Sequence, residues 1–149
     1  MTVLRVINVD LVELRLAFEA DTQDLPWFLD SHGGAVLLTT AEYDPAQHGG
    51  LTVTQIEGDS QRFLRVPPSN PDQLIADMRE FAESSGDTQL KESLELALSA
   101  PRPDKRFKTV MSWLPDQQAA WNRWRQQRTM ERVTAWLEGH GLKAAARAA

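Results

Sequence analysis

The chain has no cysteine in its 149 residues. That excludes a disulfide scaffold, thiol catalysis and thiolate zinc sites together, and makes a reducing cytoplasm the expectation. It has no run of about 18 apolar residues, so a transmembrane helix is excluded and no membrane partner is expected. The opening Met1-Thr2-Val3-Leu4-Arg5 lacks the basic segment, apolar stretch and small-residue cleavage site of a signal peptide, and none is expected. Histidine is scarce. His32, His48 and His140 have no second histidine or carboxylate at the three- or four-residue spacing of a helical zinc motif on a shared face. No Gly-x-Gly-x-x-Gly, Walker-type loop or nucleophile elbow occurs. Neither a cofactor nor a metal is expected.

Hydrophobic residues at 42% and charged residues at 25% are ordinary for a globular protein, which argues against disorder. The length fits one domain able to bury roughly two-thirds of its unfolded surface. The net charge of −5 is unevenly spread. Residues 1–75 carry 4 Lys/Arg against 11 Asp/Glu, whereas residues 102–132 carry 8 against 3. Such a split gives a polarised surface for a partner, or simply keeps both parts solvated.

Periodicity predicts an α+β fold. Residues 3–9 are β-branched enough for a short strand. Asp10 then caps a helix, with Glu13 at the capping-box position and Leu11, Leu14 and Phe18 on one stripe. Residues 27–29 and 35–39, around Gly33-Gly34, read as one hairpin, and residues 51–56 and 62–66 as a second. These make a four-stranded antiparallel meander. From residue 69 the period changes from 2 to 3.6, and four helices follow. Their apolar stripes are Leu74/Ile75/Met78/Phe81/Ala82, then Leu90/Leu94/Ala97/Leu98, then Phe107/Val110/Met111/Leu114, and a long final helix ending at Gly139-His140-Gly141. Residues 143–149 are expected to fray. The expected architecture is a single domain. Residues 1–68 form a helix and small sheet of about four strands, packed against a helical part at 69–142.

Two sets of cations are the candidate binding surface. Arg102, Lys105, Arg106 and Lys108 surround Phe107, which points inward as the first member of its stripe, leaving the bases to water. Arg125, Arg128 and Arg132 recur at i, i+3 and i+7 on the final helix, flanked by Trp121 and Trp136. An arginine row beside indoles can hold phosphates and stack on bases. Alternatively, the tryptophans are core and the arginines cover them with their aliphatic stems while making ion pairs with the acidic front half of the chain. Glu42, Asp44 and His48 share a loop and could bind a cation, though loop residues this polar are more often only solvated. Glu19, Asp21, Asp24 and Asp30 could supply an acid–base pair if burial raised the pKa of one.

The chain resembles a family of small bacterial proteins known only as uncharacterised (the UPF series, number 158). The resemblance is carried by Trp27-Phe28-Leu29-Asp30 with the glycines after it, Arg62-Phe63-Leu64-Arg65-Val66-Pro67, and Met78-Arg79-Glu80-Phe81. Leu94-Glu95-Leu96-Ala97-Leu98, Arg106-Phe107-Lys108, Trp121 and Trp136-Leu137 complete it. These pieces run in order across most of the chain. Residues 44–58 depart from the pattern, as does the proline-rich turn Arg102-Pro103-Asp104. The resemblance implies a cytoplasmic bacterial domain and transfers no activity, cofactor or catalytic residue.

With no catalytic constellation present, the expected function is a non-catalytic binding or adaptor module that meets a protein partner. The alternative is nucleic-acid binding through the two basic segments, which requires them to form one patch. A third class, an enzyme, requires a pocket with a desolvated carboxylate beside His32 or His48.

Overall fold

The computed structural model describes residues 3–20, 25–40, 42–67 and 70–145. The chain forms two compact units, one from residues 1–69 and 129–149 and the other from residues 70–128.

The first unit begins with strand β1 (Arg5–Ile7) and helix α1 (Leu11–Glu19). The Asp10 carboxylate accepts from the free amides of Val12 and Glu13, as its cap position demands. Strands β2 (Trp27–Asp30) and β3 (Val36–Leu38) form the expected hairpin. A 3₁₀ turn (Pro45–His48), helix α2 (Val53–Gly58) and strand β4 (Phe63–Arg65) follow. The antiparallel sheet has three strands in the order β3-β2-β4. Residues 51–56 are not its fourth strand. Thr52 and Gln55 close a reciprocal capping box, Gln55 N–H to Thr52 Oγ1 at 3.2 Å and Thr52 N–H to Gln55 Oε1 at 2.8 Å. Satisfying two orphan donors at once favours helix over strand.

Residues 143–145 contradict the expected fraying. Strand β5 (Leu142–Ala144) pairs in parallel with β1, Arg5 opposite Leu142. Residues 146–149 lie outside the described residues, as do Asp21 and Asp24 of the acidic set.

Alternation along β2 divides this unit's core. Leu29 faces one way, with Leu64, Leu14, Ala17, Val133 and Leu137. Phe28 faces the other, with Phe63 and Ile56. The sheet is thus covered on both faces, which accounts for the apolar run Trp27-Phe28-Leu29 without polar interruption.

The second unit is helical: α3 (Pro71–Ser84), α4 (Thr88–Ser99), α5 (Pro103–Ser112) and the beginning of α6 (Pro115–Gly139). Asn70 and Asp87 cap α3 and α4 through their side chains. Phe107 is fully buried, its ring edge-on to Trp121 with centroids 5.0 Å apart and to Phe81 at 6.4 Å. Met78, Leu94 and Met111 complete this core, with Val110 at its edge. Leu114, expected in the same cluster, is 38% exposed because α5 ends at Ser112 and the chain turns before Pro115. Among the described residues, no helix is long and apolar enough to cross a membrane.

Candidate functional site

Helix α5 positions the first cationic set. Pro103 at its first turn supplies a helical φ and needs no amide partner. Arg102 before it is held at φ 55°, the one non-glycine residue with positive φ among those described. The cost is of order 1 kcal/mol or more for a side chain with a Cβ.

From there the helix turns Phe107 and Met111 inward and leaves Lys105, Arg106 and Lys108 exposed. The Thr109 and Ser112 hydroxyls on the outer face donate to backbone carbonyls, Thr109 to Lys105 at 2.9 Å and Ser112 to Thr109 at 2.6 Å. That side of α5 therefore presents cationic chemistry. Arg102, Lys105, Arg106 and Lys108 form no ion pair with any described residue.

Trp113 stands at the end of the same helix and is 73% exposed. Its amide donates to the Val110 and Met111 carbonyls, and the Leu114 amide donates to Met111 at 3.0 Å, so the indole projects from a hydrogen-bonded turn. Seven residues separate Arg106 from Trp113. At 100° per residue they lie within about 20° of each other, two turns or about 10.5 Å apart along the axis. Beside Trp113 is a cavity of about 240 Å³ lined by Leu90, Leu114 and Pro115 and by the carboxylate residues Asp87 and Asp116.

The final-helix arginines have a different environment. Arg128 pairs with Glu80 at 2.7 Å and lies over the Trp124 ring at 4.6 Å. The guanidinium covers an indole, as the packing alternative drawn from the sequence has it, but its carboxylate is Glu80, outside the acidic front half expected to supply it. Arg125 and Arg132 are half-buried and engaged with other groups, and Arg132 belongs to the first unit. Of the two candidate cation sets, the exposed one is that of α5.

A second charged cluster lies in the first unit. Asp30, 2% exposed, shares the sheet face of Phe28 and Phe63. Arg62 grips it in bidentate fashion, Nε to Oδ1 and Nη2 to Oδ2, each at 3.1 Å, with the guanidinium 4.8 Å from the Phe63 ring centroid. The His32 amide donates to Oδ1 at 2.9 Å. Burial pushes the Asp30 carboxyl upward, but the Arg62 hydrogen bonds, the His32 amide, the Arg62 charge and the Gly33 amide outweigh it, leaving the pKa below the ordinary carboxylate value. The hydrogen bonds from Arg62 to Asp30 correspondingly raise the guanidinium's own pKa.

His48 Nε2 is 3.3 Å from Oδ2 but off hydrogen-bonding alignment. A carboxylate beside His48 thus exists, held ionised as a counter-ion instead of poised as a proton donor. Asp44 caps the 3₁₀ turn through the Ala46 amide while His48 faces Asp30, so those two loop donors serve separate local contacts. Glu19 bonds Arg15 and the Thr129 hydroxyl.

Sequence periodicity located the α5 cations but not Trp113, whose exposure depends on where α5 stops. The Asp30–Arg62 pair spans 32 residues and becomes visible only once β2 and β4 are paired, with Asp30 opposite Phe63.

A family model described as the uncharacterised protein family UPF0158 matches residues 3–149. The UPF0158 protein PA5073 of Pseudomonas aeruginosa is 29% identical over 144 residues, covering 97% of this chain and 90% of the relative. No solved structure matches.

Proposed function

We propose a function for this chain from its own surface, because the family to which it belongs, UPF0158, is described only as uncharacterised. The chain is a non-catalytic binding module that engages a protein partner through the outer side of α5 and Trp113. The carrying observation is the exposed indole. A buried tryptophan removes roughly 150–250 Å² from water. Leaving 73% of it exposed forgoes about 3–5 kcal/mol at ~25 cal/mol/Å². The other described tryptophans are buried or half-buried. An exposed aromatic residue beside exposed cations has the character of an interface anchor.

The test is affinity capture from native lysate using the parent chain, Trp113→Ser and Leu96→Ser, with and without nuclease. Leu96 on α4 is also well exposed and controls for loss of any surface hydrophobe. A protein retained after nuclease, lost with Trp113→Ser and kept with Leu96→Ser, supports the module. Capture indifferent to Trp113 refutes it.

The unpaired α5 cations favour a second reading, nucleic-acid binding, with bases stacking on Trp113 and phosphates on Arg106, Lys105 and Lys108. Capture abolished by nuclease and affinity falling steeply with salt would select that reading.

A further inference from the structure

We infer that the α5–Trp113 surface docks an acidic, extended peptide segment, inserting one large apolar side chain beside Trp113 and laying its carboxylates over Arg106 and Lys105. The inference rests on the binding-module reading and names the partner's chemistry.

Charge selects the sign. The chain carries a net charge of −5, yet these cations are exposed and unpaired among the described residues. An acidic segment is repelled by the net charge at long range and attracted locally here, so the sign that limits encounter elsewhere gives orientation at this surface.

Size selects an anchor. At about 240 Å³ the cavity is smaller than the roughly 300–1,000 Å³ typical of small-molecule sites. It accommodates one side chain better than a metabolite. Asp87, Asp116 and Gln117 also line it, but Leu90, Trp113, Leu114 and Pro115 give an apolar side chain four apolar neighbours.

Spacing selects the pattern. Arg106 and Lys105 lie seven and eight residues before Trp113, about 10.5 and 12 Å along α5 and about 20° and 80° around it. An extended peptide advances roughly 3.3 Å per residue. Acidic residues three to four positions from the apolar anchor therefore reach these two cations. Asp87 and Asp116 disfavour carboxylates beyond the anchor and accept a basic residue there. The recognised segment is acidic on one side of its anchor and neutral or basic on the other.

The probe is acetyl-Glu-Glu-Glu-Ser-Phe-Ser-Lys-amide, titrated into the full ¹⁵N-labelled chain at 50 mM salt. Shifts should concentrate on the Trp113 indole N–H and the amides of residues 105–117. Replacing phenylalanine with serine, or exchanging the glutamates and lysine, should weaken binding at least tenfold. So should Trp113→Ser and the double variant Lys105→Ala/Arg106→Ala, while Leu96→Ser should leave it unchanged. Raising salt to 300 mM should weaken it several-fold.

No binding, shifts mapping elsewhere, or equal affinity for the charge-exchanged peptide would overturn the inference. So would a thymidine 12-mer binding the same residues more tightly, or concentration-dependent shifts there without peptide, which assign the surface to nucleic acid or to a second copy. If the probe fails while capture still depends on Trp113, the partner chemistry is wrong and the module reading stands. If capture is also indifferent to Trp113, both fall.

Discussion

Phe107 determines which side of α5 faces water, so its truncation tests the assignment of the cationic surface. Its side chain is fully buried and meets Trp121 and Phe81 edge-on. Phe107→Ala removes both contacts and leaves a cavity bounded by Met78, Leu94 and Met111, side chains that collapse only partly into the space. The expected cost is about 3–5 kcal/mol, a large part of the roughly 5–15 kcal/mol that holds a domain together. At about 3 °C per kcal/mol for a chain of this size, the melting midpoint should fall by roughly 10–15 °C. Far-UV circular dichroism and tryptophan emission, recorded on the same melt, provide the assay. Lys105→Ala and Lys108→Ala should each change stability by less than about 0.5 kcal/mol. A parent-like melt for Phe107→Ala, together with unfolding of Lys105→Ala, would mean that α5 is rotated the other way. The proposed surface would then be core.

Three further outcomes follow from the geometry. Asp30 titrates below the ordinary carboxylate value of 3.8, so its ion pair contributes stability above that pH and loses it as pH falls through the folded-state value. Acid titration followed by ellipticity should show Asp30→Asn less stable than the parent at neutral pH, with the gap narrowing below about pH 4. Gly34 sits at φ 85°, where an added Cβ would overlap the Asn8 carbonyl, whereas Gly50 at φ 76° faces open space. Urea unfolding should therefore give Gly34→Ala a cost of about 2 kcal/mol or more, against about 1 kcal/mol for Gly50→Ala. Arg102→Gly should relax the positive-φ strain and leave stability unchanged or raise it by up to about 1 kcal/mol, again read by urea unfolding.

The helical part was legible because a 3.6-residue period repeats over many turns and its breaks carry strong signals: Asn70 before Pro71, Asp87 after Gly86, and Pro115. The sheet was less legible. Thr52 and Thr54 alternate with apolar neighbours as a strand would, but the reciprocal Thr52–Gln55 bonds outweigh that period-2 pattern over so short a stretch. Leu142-Lys143-Ala144 has little strand character of its own, and only β1 beside it makes it a strand. Local propensity does not register a partner so distant in the chain.

The candidate site divides the same way. The α5 cations follow from Phe107 pointing inward, a local inference. The exposure of Trp113 depends on the turn into α6, and the Asp30–Arg62 pair on strand register, both products of the assembled structure.

The parallel pairing of β1 with β5 bears on synthesis in the cell. Arg5 finds its partner Leu142 only after nearly the whole chain has been made. At about 5–20 residues per second, the intervening stretch takes roughly 7–27 s to translate. Through that interval the backbone donors and acceptors of residues 5–7 lack their native neighbour. The helices of residues 70–128, by contrast, are contiguous in sequence and can close on one another as they emerge. Vectorial folding therefore begins in the middle of this chain. β1 precedes the other described strands in the chain yet waits for β5, leaving its edge open meanwhile to chaperones or to wrong strands.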